Sequence, residues 1–353
     1  MTVTVRSFAK INLGLGIGRL RTDGFHELVT VYQTIGLHDL IRVGVARGSG
    51  IEIRCDDPRV PRDESNTCFR IVERAMRTLR AKGRVLVEIE KRLPVQGGLG
   101  GASANAVATL LGLERALNKS LPAQEKLRIA AEVGSDLPLF LVGGTVLGLG
   151  RGQQVFPLPD FPAMPCVVVT PEGGVSTPKA FAAWDRKMNQ PRLKPFSSGA
   201  ADAALKRRSS TLPAKRSSTP SAKLTVSGAS DRMNELGCGL SAWLSGYSSA
   251  PSLSLARRGR AGNPLLWLVR AGIKNDFEEV VFPEYPELRE GKSALLRASA
   301  KYASLSGSGS TLYGLFASRE AAALAVKKLR KQGWTAQATV TLPRKSYWRR
   351  VLG

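Results

Sequence analysis

The sequence predicts an α+β protein with chain enough for two domains, and three observations lead there. Its 353 residues suffice for two domains of ordinary size and a sizeable core. Hydrophobic residues make up 43% and charged residues 23%, the balance of a soluble globular protein. Strand-like and helix-like stretches alternate unevenly, which favours α+β layers over a regular βαβ series.

Taken in order, "TVTVRSFAKINLGLGI" alternates small and β-branched residues as a strand does, with Lys10 at its expected end. "LVTVYQTI", "LIRVGV", "GIEIRC" and "RVLVEIEK" read as further strands divided by Gly and Asp turn signals. "NTCFRIVERAMRTLR" reads as a helix with Ile71, Ala75 and Leu79 on one face and Asn66 as its N-cap. "ASANAVATLLGLERALN" is a second helix, with Val107, Leu110, Leu111 and Leu117 apolar, and "PAQEKLRIAAEV" a third that ends at Gly134. The second half brings the strand "PCVVVTP", the helical "GKSALLRASA", the turn "SLSGSGST", the strand "LYGLFA" and the helix "SREAAALAVKKLRKQG".

Net charge is +24, the sign of a nucleic-acid binder, but it is unevenly placed. Residues 186–274 hold 16 Lys/Arg against three Asp/Glu, and residues 321–353 hold eight against none. The remaining body is nearly neutral. About Met188 to Ser230 the chain is rich in Ser, Pro and Lys and too poor in apolar residues to fold alone, so a mobile basic insertion is expected at about 188–262. It lacks interleaved aromatics, which argues against single-strand nucleic-acid binding. The four cysteines, Cys55, Cys68, Cys166 and Cys238, are far apart, with no C-x-x-C pair. Neither zinc nor a disulfide framework is expected, and a reducing cytoplasm is. No apolar run is long enough to cross a bilayer, and Met1–Lys10 carries no signal-peptide pattern. His26 and His38 are the only histidines.

"LPVQGGLGGASANA", Leu93 to Ala106, follows a strand and opens a strong helix. Glycines there let backbone N–H groups converge on an anion, and the helix N-terminus adds about half a positive charge. Two other phosphate templates fail. "PELREGKS" has Pro286 where a Walker loop needs its first glycine, and "GLGIG" at Gly14–Gly18 lacks the third glycine and the following helix of a dinucleotide fingerprint. Both read as turns.

"PVQGGLGGASANA" resembles the phosphate loop of the GHMP kinases. "SFAKINLGLGI" resembles that family's N-terminal strand motif and "SLSGSGSTLYGLF" its C-terminal glycine turn. The resemblance implies a two-domain GHMP kinase fold: a ribosomal-protein-S5-domain-2-like nucleotide domain over 1–160 and a ferredoxin-like domain over 161–353, with the active site between them. "TDGFHEL", "GSDLPLFLVGGTVLGLGRG" and "NDFEEVVFPEYPEL" narrow it to the branch acting on a cytidine-diphosphate alcohol. The implied reaction is ATP-dependent phosphorylation of the 2-hydroxyl of 4-diphosphocytidyl-2-C-methyl-D-erythritol, in the non-mevalonate isoprenoid pathway. The rivals are a homoserine- or mevalonate-type GHMP kinase and a nucleic-acid binder on a degenerate kinase fold.

The same resemblance implies the residues. Pro94 and the run Gly97, Gly98, Leu99, Gly100, Gly101, Ala102, Ser103, Ala104 and Asn105 cradle the phosphates of ATP, with Asn66 and Lys91 lining the adenine pocket. Asp136 is the general base and Lys10 holds it ionised. Asn12, Phe25 and His26 contact the substrate, Phe25 by stacking and His26 by hydrogen bonds to the cytidine base. His38 is expected to be structural. Two positions depart from the family pattern. Phe25 stands for a tyrosine and loses its hydroxyl, and Ala104 removes a hydroxyl from the loop. No protein metal cage is expected, so Mg2+ would be held mainly by phosphates and water. The partners implied are a small molecule, no membrane and no specific nucleic acid, for a monomer or homodimer.

Overall fold

The computed structural model describes residues 2–171, 173–189 and 274–351. Its backbone is led by two long strands, β1 (Thr2–Leu20) and β2 (His26–Ala46), paired antiparallel from Thr2 opposite Gly44 to Leu20 opposite His26. β3 (Ile51–Cys55), α1 (Thr67–Thr78), β4 (Arg84–Glu90), α2 (Gly101–Leu117), α3 (Ala123–Val133), α4 (Leu137–Val142), β5 (Thr145–Gly150) and β6 (Gln154–Pro157) follow. The strands form one sheet in the order β3-β4-β2-β5-β6, with β1 against β2.

The second sheet is built from β7 (Pro165–Val169), β8 (Tyr302–Leu305), β9 (Leu312–Leu315) and β10 (Ala336–Val340). It is antiparallel throughout, in the order β10-β7-β9-β8. Among the described residues, the helices of this half are α5 (Thr177–Asn189), α6 (Glu278–Glu284), α7 (Pro286–Arg297), α8 (Arg319–Lys331) and α9 (Arg344–Val351). The expected α+β class stands.

Three apolar clusters hold the layers. α1 turns Ile71, Val72 and Ala75 inward against α2 and the first sheet, and Asn66 caps it by accepting from the Cys68 N–H at 2.8 Å. α2 is buried almost all round, from Ala104 to Glu114, so it forms the spine of this half. Leu288, Leu295, Phe316 and Leu329 fill the second cluster, under the second sheet. The third joins the sheets: Ile11, Leu13 and Val31 meet Cys166, Val168, Tyr313 and Leu315. Backbone bonds reinforce it, Leu15 N to Lys274 O at 3.0 Å and Asp276 N to Leu15 O at 2.9 Å.

Several sequence expectations need correction. Lys10 lies mid-strand, because β1 runs on to Leu20 through register shifts at Phe8/Lys10 and Asn12/Gly14. Phe8–Ile17 is buried on both faces, so the alternation that would mark the strand's extent is missing. "LVTVYQTI" and "LIRVGV" are one strand, held continuous by pairing with β1. Gly14–Gly18 is strand and "PELREGKS" is helix, so neither is a turn. Met188 and Asn189 close α5 and do not belong to the basic insertion. The rest of that segment, and Cys238, lie outside the described residues. Cys55, Cys68 and Cys166 are buried free thiols. Among the described residues no helix is long and apolar enough to cross a membrane.

Candidate active site

The glycine loop joins β4 to α2 and crosses the junction between the two sheets. Gly98 and Gly100 both adopt the left-handed backbone, at φ +75° and +68°. Gly100 is the N-cap of α2, and no side chain caps the helix. Its first N–H groups are therefore open to an anion. A cleft of about 330 Å³ lies over them, lined by Pro94 to Ser103 and Asn105 and walled by Asn66 and Lys91. Every expected nucleotide residue lines it except Ala104, which turns into the core instead. Arg59, which sequence reading passed over, lines it too and pairs with Asp57 at 2.6 Å. That pairing lowers the Asp57 carboxyl to about 2.

Asp39 organises the floor of this cleft. Fully buried, it accepts from Lys91 Nζ at 2.6 Å, from the Arg92 and Leu93 N–H groups at 2.7 Å each, and from Asn105 Nδ2 at 3.0 Å. Asn105 Oδ1 in turn accepts from Ser7 Oγ at 2.6 Å. The polar ends of Lys91 and Asn105 thus work inward, fixing where the loop starts and where α2 begins.

From the other sheet, the turn between β8 and β9 clamps the loop. Ser306 Oγ donates to Gly98 O at 3.0 Å and the Thr311 N–H to Gly97 O at 3.2 Å. Asn275 holds that turn by donating to Leu305 O and Gly307 O at 2.9 and 2.7 Å. The quoted motif "NDFEEV" contains this asparagine, but nothing in its spacing revealed the contact.

Behind Gly100 stand Lys10 and Asp136. The Lys10 N–H donates to Leu99 O at 3.0 Å, and the side-chain stem runs beneath Gly100. Lys10 Nζ is 3.5 Å from Asp136 Oδ2 and donates to Asn12 Oδ1 at 2.7 Å. Asn12 Nδ2 passes on to Thr30 Oγ1 at 2.7 Å, so both its polar atoms serve to aim the lysine. Burial pushes the Lys10 ammonium below its ordinary value, and Asp136 beside it pulls the other way. Asp136 precedes α4 at its N-cap and keeps a third of its side chain exposed (33%), against 4% for Lys10. Tyr32, also missed from sequence, donates to Asp136 Oδ1 at 3.0 Å. A cation-stabilised carboxylate, open on one side and next to an anion cradle, has the parts that phosphoryl transfer to a hydroxyl requires.

Residues 66–144 match the GHMP kinases N terminal domain, and residues 258–333 match the GHMP kinases C terminal domain. A 4-diphosphocytidyl-2-C-methyl-D-erythritol kinase of Solibacter usitatus is 34% identical over 351 residues, covering 99% of this chain and 92% of its own. The chain belongs to the GHMP kinase family. The kinase of the same name from Synechococcus elongatus is 32% identical, over 94% of this GHMP kinase and 91% of that relative. Among solved structures, a 4-(cytidine 5'-diphospho)-2C-methyl-D-erythritol kinase superposes with a TM-score of 0.65 at 25% identity, covering 96% of this chain and 98% of the other. A homoserine kinase from Cytophaga hutchinsonii reaches the same TM-score at 21% identity, over 97% and 95%, which speaks to fold alone.

The remaining expected residues of this GHMP kinase sit apart from the Lys10–Asp136 pair, where β2 begins. Phe25 is half exposed, its ring 4.7 Å from the Arg151 guanidinium carbon. His26 is buried, its Nε2 2.8 Å from Asp185 Oδ1 and its ring stacked on Phe181 with centroids 4.9 Å apart. Both partners come from α5, which sequence reading left unassigned. His38, expected to be structural, has its Nδ1 3.0 Å from Gly36 O and its ring against Phe8.

Proposed function

We propose that this kinase transfers the γ-phosphoryl group of ATP to the 2-hydroxyl of 4-diphosphocytidyl-2-C-methyl-D-erythritol, giving the 2-phosphate and ADP. The observation that carries the reading is the Lys10–Asp136 pair beside the uncapped end of α2. It supplies a base, a cation for the developing alkoxide and a phosphate cradle within one junction. The names of the relatives add the acceptor. On this reading ATP lies in the cleft between Asn66, Lys91 and the glycine loop, and the acceptor reaches Asp136 from the side of Phe25 and His26. The proposed division is 1–160 for the nucleotide domain and 161–353 for its partner, in a cytoplasmic monomer or homodimer.

Magnesium fits this donor set in one way. Among the described residues no three His, Cys, Asp or Glu side chains gather. In the first turn of α2 the cleft is lined by one hydroxyl side chain, that of Ser103. Such a site suits an ion held chiefly by the nucleotide phosphates and water, with Ser103 as the protein's contribution. Bound there, the ion would neutralise phosphate charge.

His26 offers a direct test by binding. Its Nε2 is taken by Asp185, which leaves Nδ1 for the cytosine. In calorimetric titrations the cytidine-diphosphate alcohol is expected to bind the parent protein one to one, uncontested by homoserine or mevalonate. His26→Ala should weaken that binding by roughly 5- to 150-fold, the scale of one lost hydrogen bond to a buried polar group, and leave ATP affinity unchanged. Equal weakening of both ligands would make His26 a support of the fold. Displacement of the cytidine ligand by homoserine or mevalonate would favour those acceptors.

A further inference from the structure

Tyr32 is the one phenol of β2, in its buried middle and 2% exposed, and the hairpin of β5 and β6 is shaped around it. A methyl group at Gly148 would stand 2.5 Å from its Cε2, and one at Gly152 would stand 2.4 Å from its hydroxyl oxygen. The two glycines leave a slot that the ring fills. Held there, the hydroxyl is 3.0 Å from Asp136 Oδ1, while Lys10 Nζ is 3.5 Å from the other oxygen, Oδ2. Lys10 also lies 5.4 Å from the ring centroid. Asp136 is thus met by Lys10 from β1 and Tyr32 from β2, with Gly152 of the β5–β6 turn beside them. An ionised carboxylate only accepts, so the phenol is the donor. Burial pushes the phenol well above the ordinary tyrosine value, which keeps it a donor across neutral pH.

We propose that Tyr32 is a positioning residue for phosphoryl transfer: its hydroxyl occupies Oδ1 of Asp136 and leaves Oδ2, the oxygen beside Lys10, to take the acceptor's proton. The inference rests on the reading of Asp136 as the base. In the step, the acceptor hydroxyl oxygen forms a bond to the γ-phosphorus. The bond between that phosphorus and the β,γ-bridging oxygen breaks, and ADP leaves with the electron pair. The hydroxyl proton passes to Oδ2 and later to water. Without the phenol the carboxylate is free to rotate, and it loses the donor that fixes Oδ1.

The test is kcat and both KM values for Tyr32→Phe, which keeps the ring in its slot. We expect kcat about 10-fold lower, the scale of one hydrogen bond to a charged group. Both KM values should stay within about 2-fold, a split that a merely structural tyrosine would not give, because a disturbed fold weakens binding as well. Asp136→Asn is measured beside it. If Asp136→Asn turns over normally, the reading of the base fails. If it is inactive while Tyr32→Phe matches the parent in kcat, the role of Tyr32 alone is overturned. Should Tyr32→Phe fail to fold by circular dichroism, 4-fluorophenylalanine at position 32 fills the slot without a donor. Its kcat then falls by a similar factor with KM unmoved, and a parent-like kcat overturns the proposal.

Discussion

Asp136→Asn is expected to leave ATP bound and turnover lost, with kcat down by about 10²–10⁴-fold, the usual contribution of a positioned base. The amide has nearly the shape of the carboxylate, and its oxygen can still accept from Tyr32. The cradle at the α2 N-terminus is a separate feature, because Asp136 bonds to Lys10 and Tyr32. What the amide lacks is the capacity to take a proton. Rapid-quench measurement of phosphoryl transfer, with calorimetry for ATP, separates the two effects. Near-normal turnover would make the carboxylate a structural partner of Lys10 and nothing more.

Gly98→Ala is expected to abolish nucleotide binding through shape alone. The new methyl group would stand 2.2 Å from the Ser306 carbonyl oxygen, at a residue whose φ is +75°. The left-handed backbone costs an L-residue about 1–2 kcal/mol, and a forced shift of packed neighbours costs a further ~1–3 kcal/mol. Relief requires pulling the loop away from the β8–β9 turn that shapes it. If the loop keeps its binding-competent form in only a small fraction of molecules, apparent affinity falls by that fraction, about 30- to 5,000-fold for roughly 2–5 kcal/mol. Gly101→Ala is the control, because a methyl group there meets its nearest neighbour, Lys91 Nζ, at 3.6 Å. Calorimetric titration with ATP compares them. Parent-like affinity in Gly98→Ala would mean that the loop–turn contact does not shape the cleft.

Gly98 was legible in the loop itself, and there is a physical reason, whereas Asp136 was proposed only through the family resemblance. A phosphate cradle is local: its glycines, its lack of a capping side chain and the helix that follows are consecutive in the chain. The capping asparagine of α1 was readable on the same ground, since Asn66 and Cys68 are two residues apart. Asp39, Tyr32 and Asn275 were not. Each is a single polar side chain whose partners lie far off in sequence: Asn105 for Asp39, Asp136 for Tyr32, and Leu305 and Gly307 for Asn275. Nothing near Tyr32 in "LVTVYQTI" distinguishes it from a buried aromatic of the core. The true ends of β1 and β2 were hidden for a related reason. Strands covered on both faces lose the period-two pattern that reports their length. α5 carries Phe181 and Asp185 to His26, a contact 159 residues apart in the chain for Asp185. Only the folded chain brings that pair together.

The central claim is that one junction, built by the α2 loop, Lys10 and Asp136, phosphorylates a cytidine-diphosphate alcohol. It is tested most directly by competition. The protein is given limiting ATP with equal amounts of 4-diphosphocytidyl-2-C-methyl-D-erythritol, homoserine and mevalonate, and the products are followed by phosphorus NMR and mass spectrometry. A single new phosphate monoester is expected, on the 2-hydroxyl of the cytidine compound, formed in step with ADP. Phosphate appearing on homoserine or mevalonate at an equal or higher kcat/KM, or ATP left intact with all three present, would contradict it.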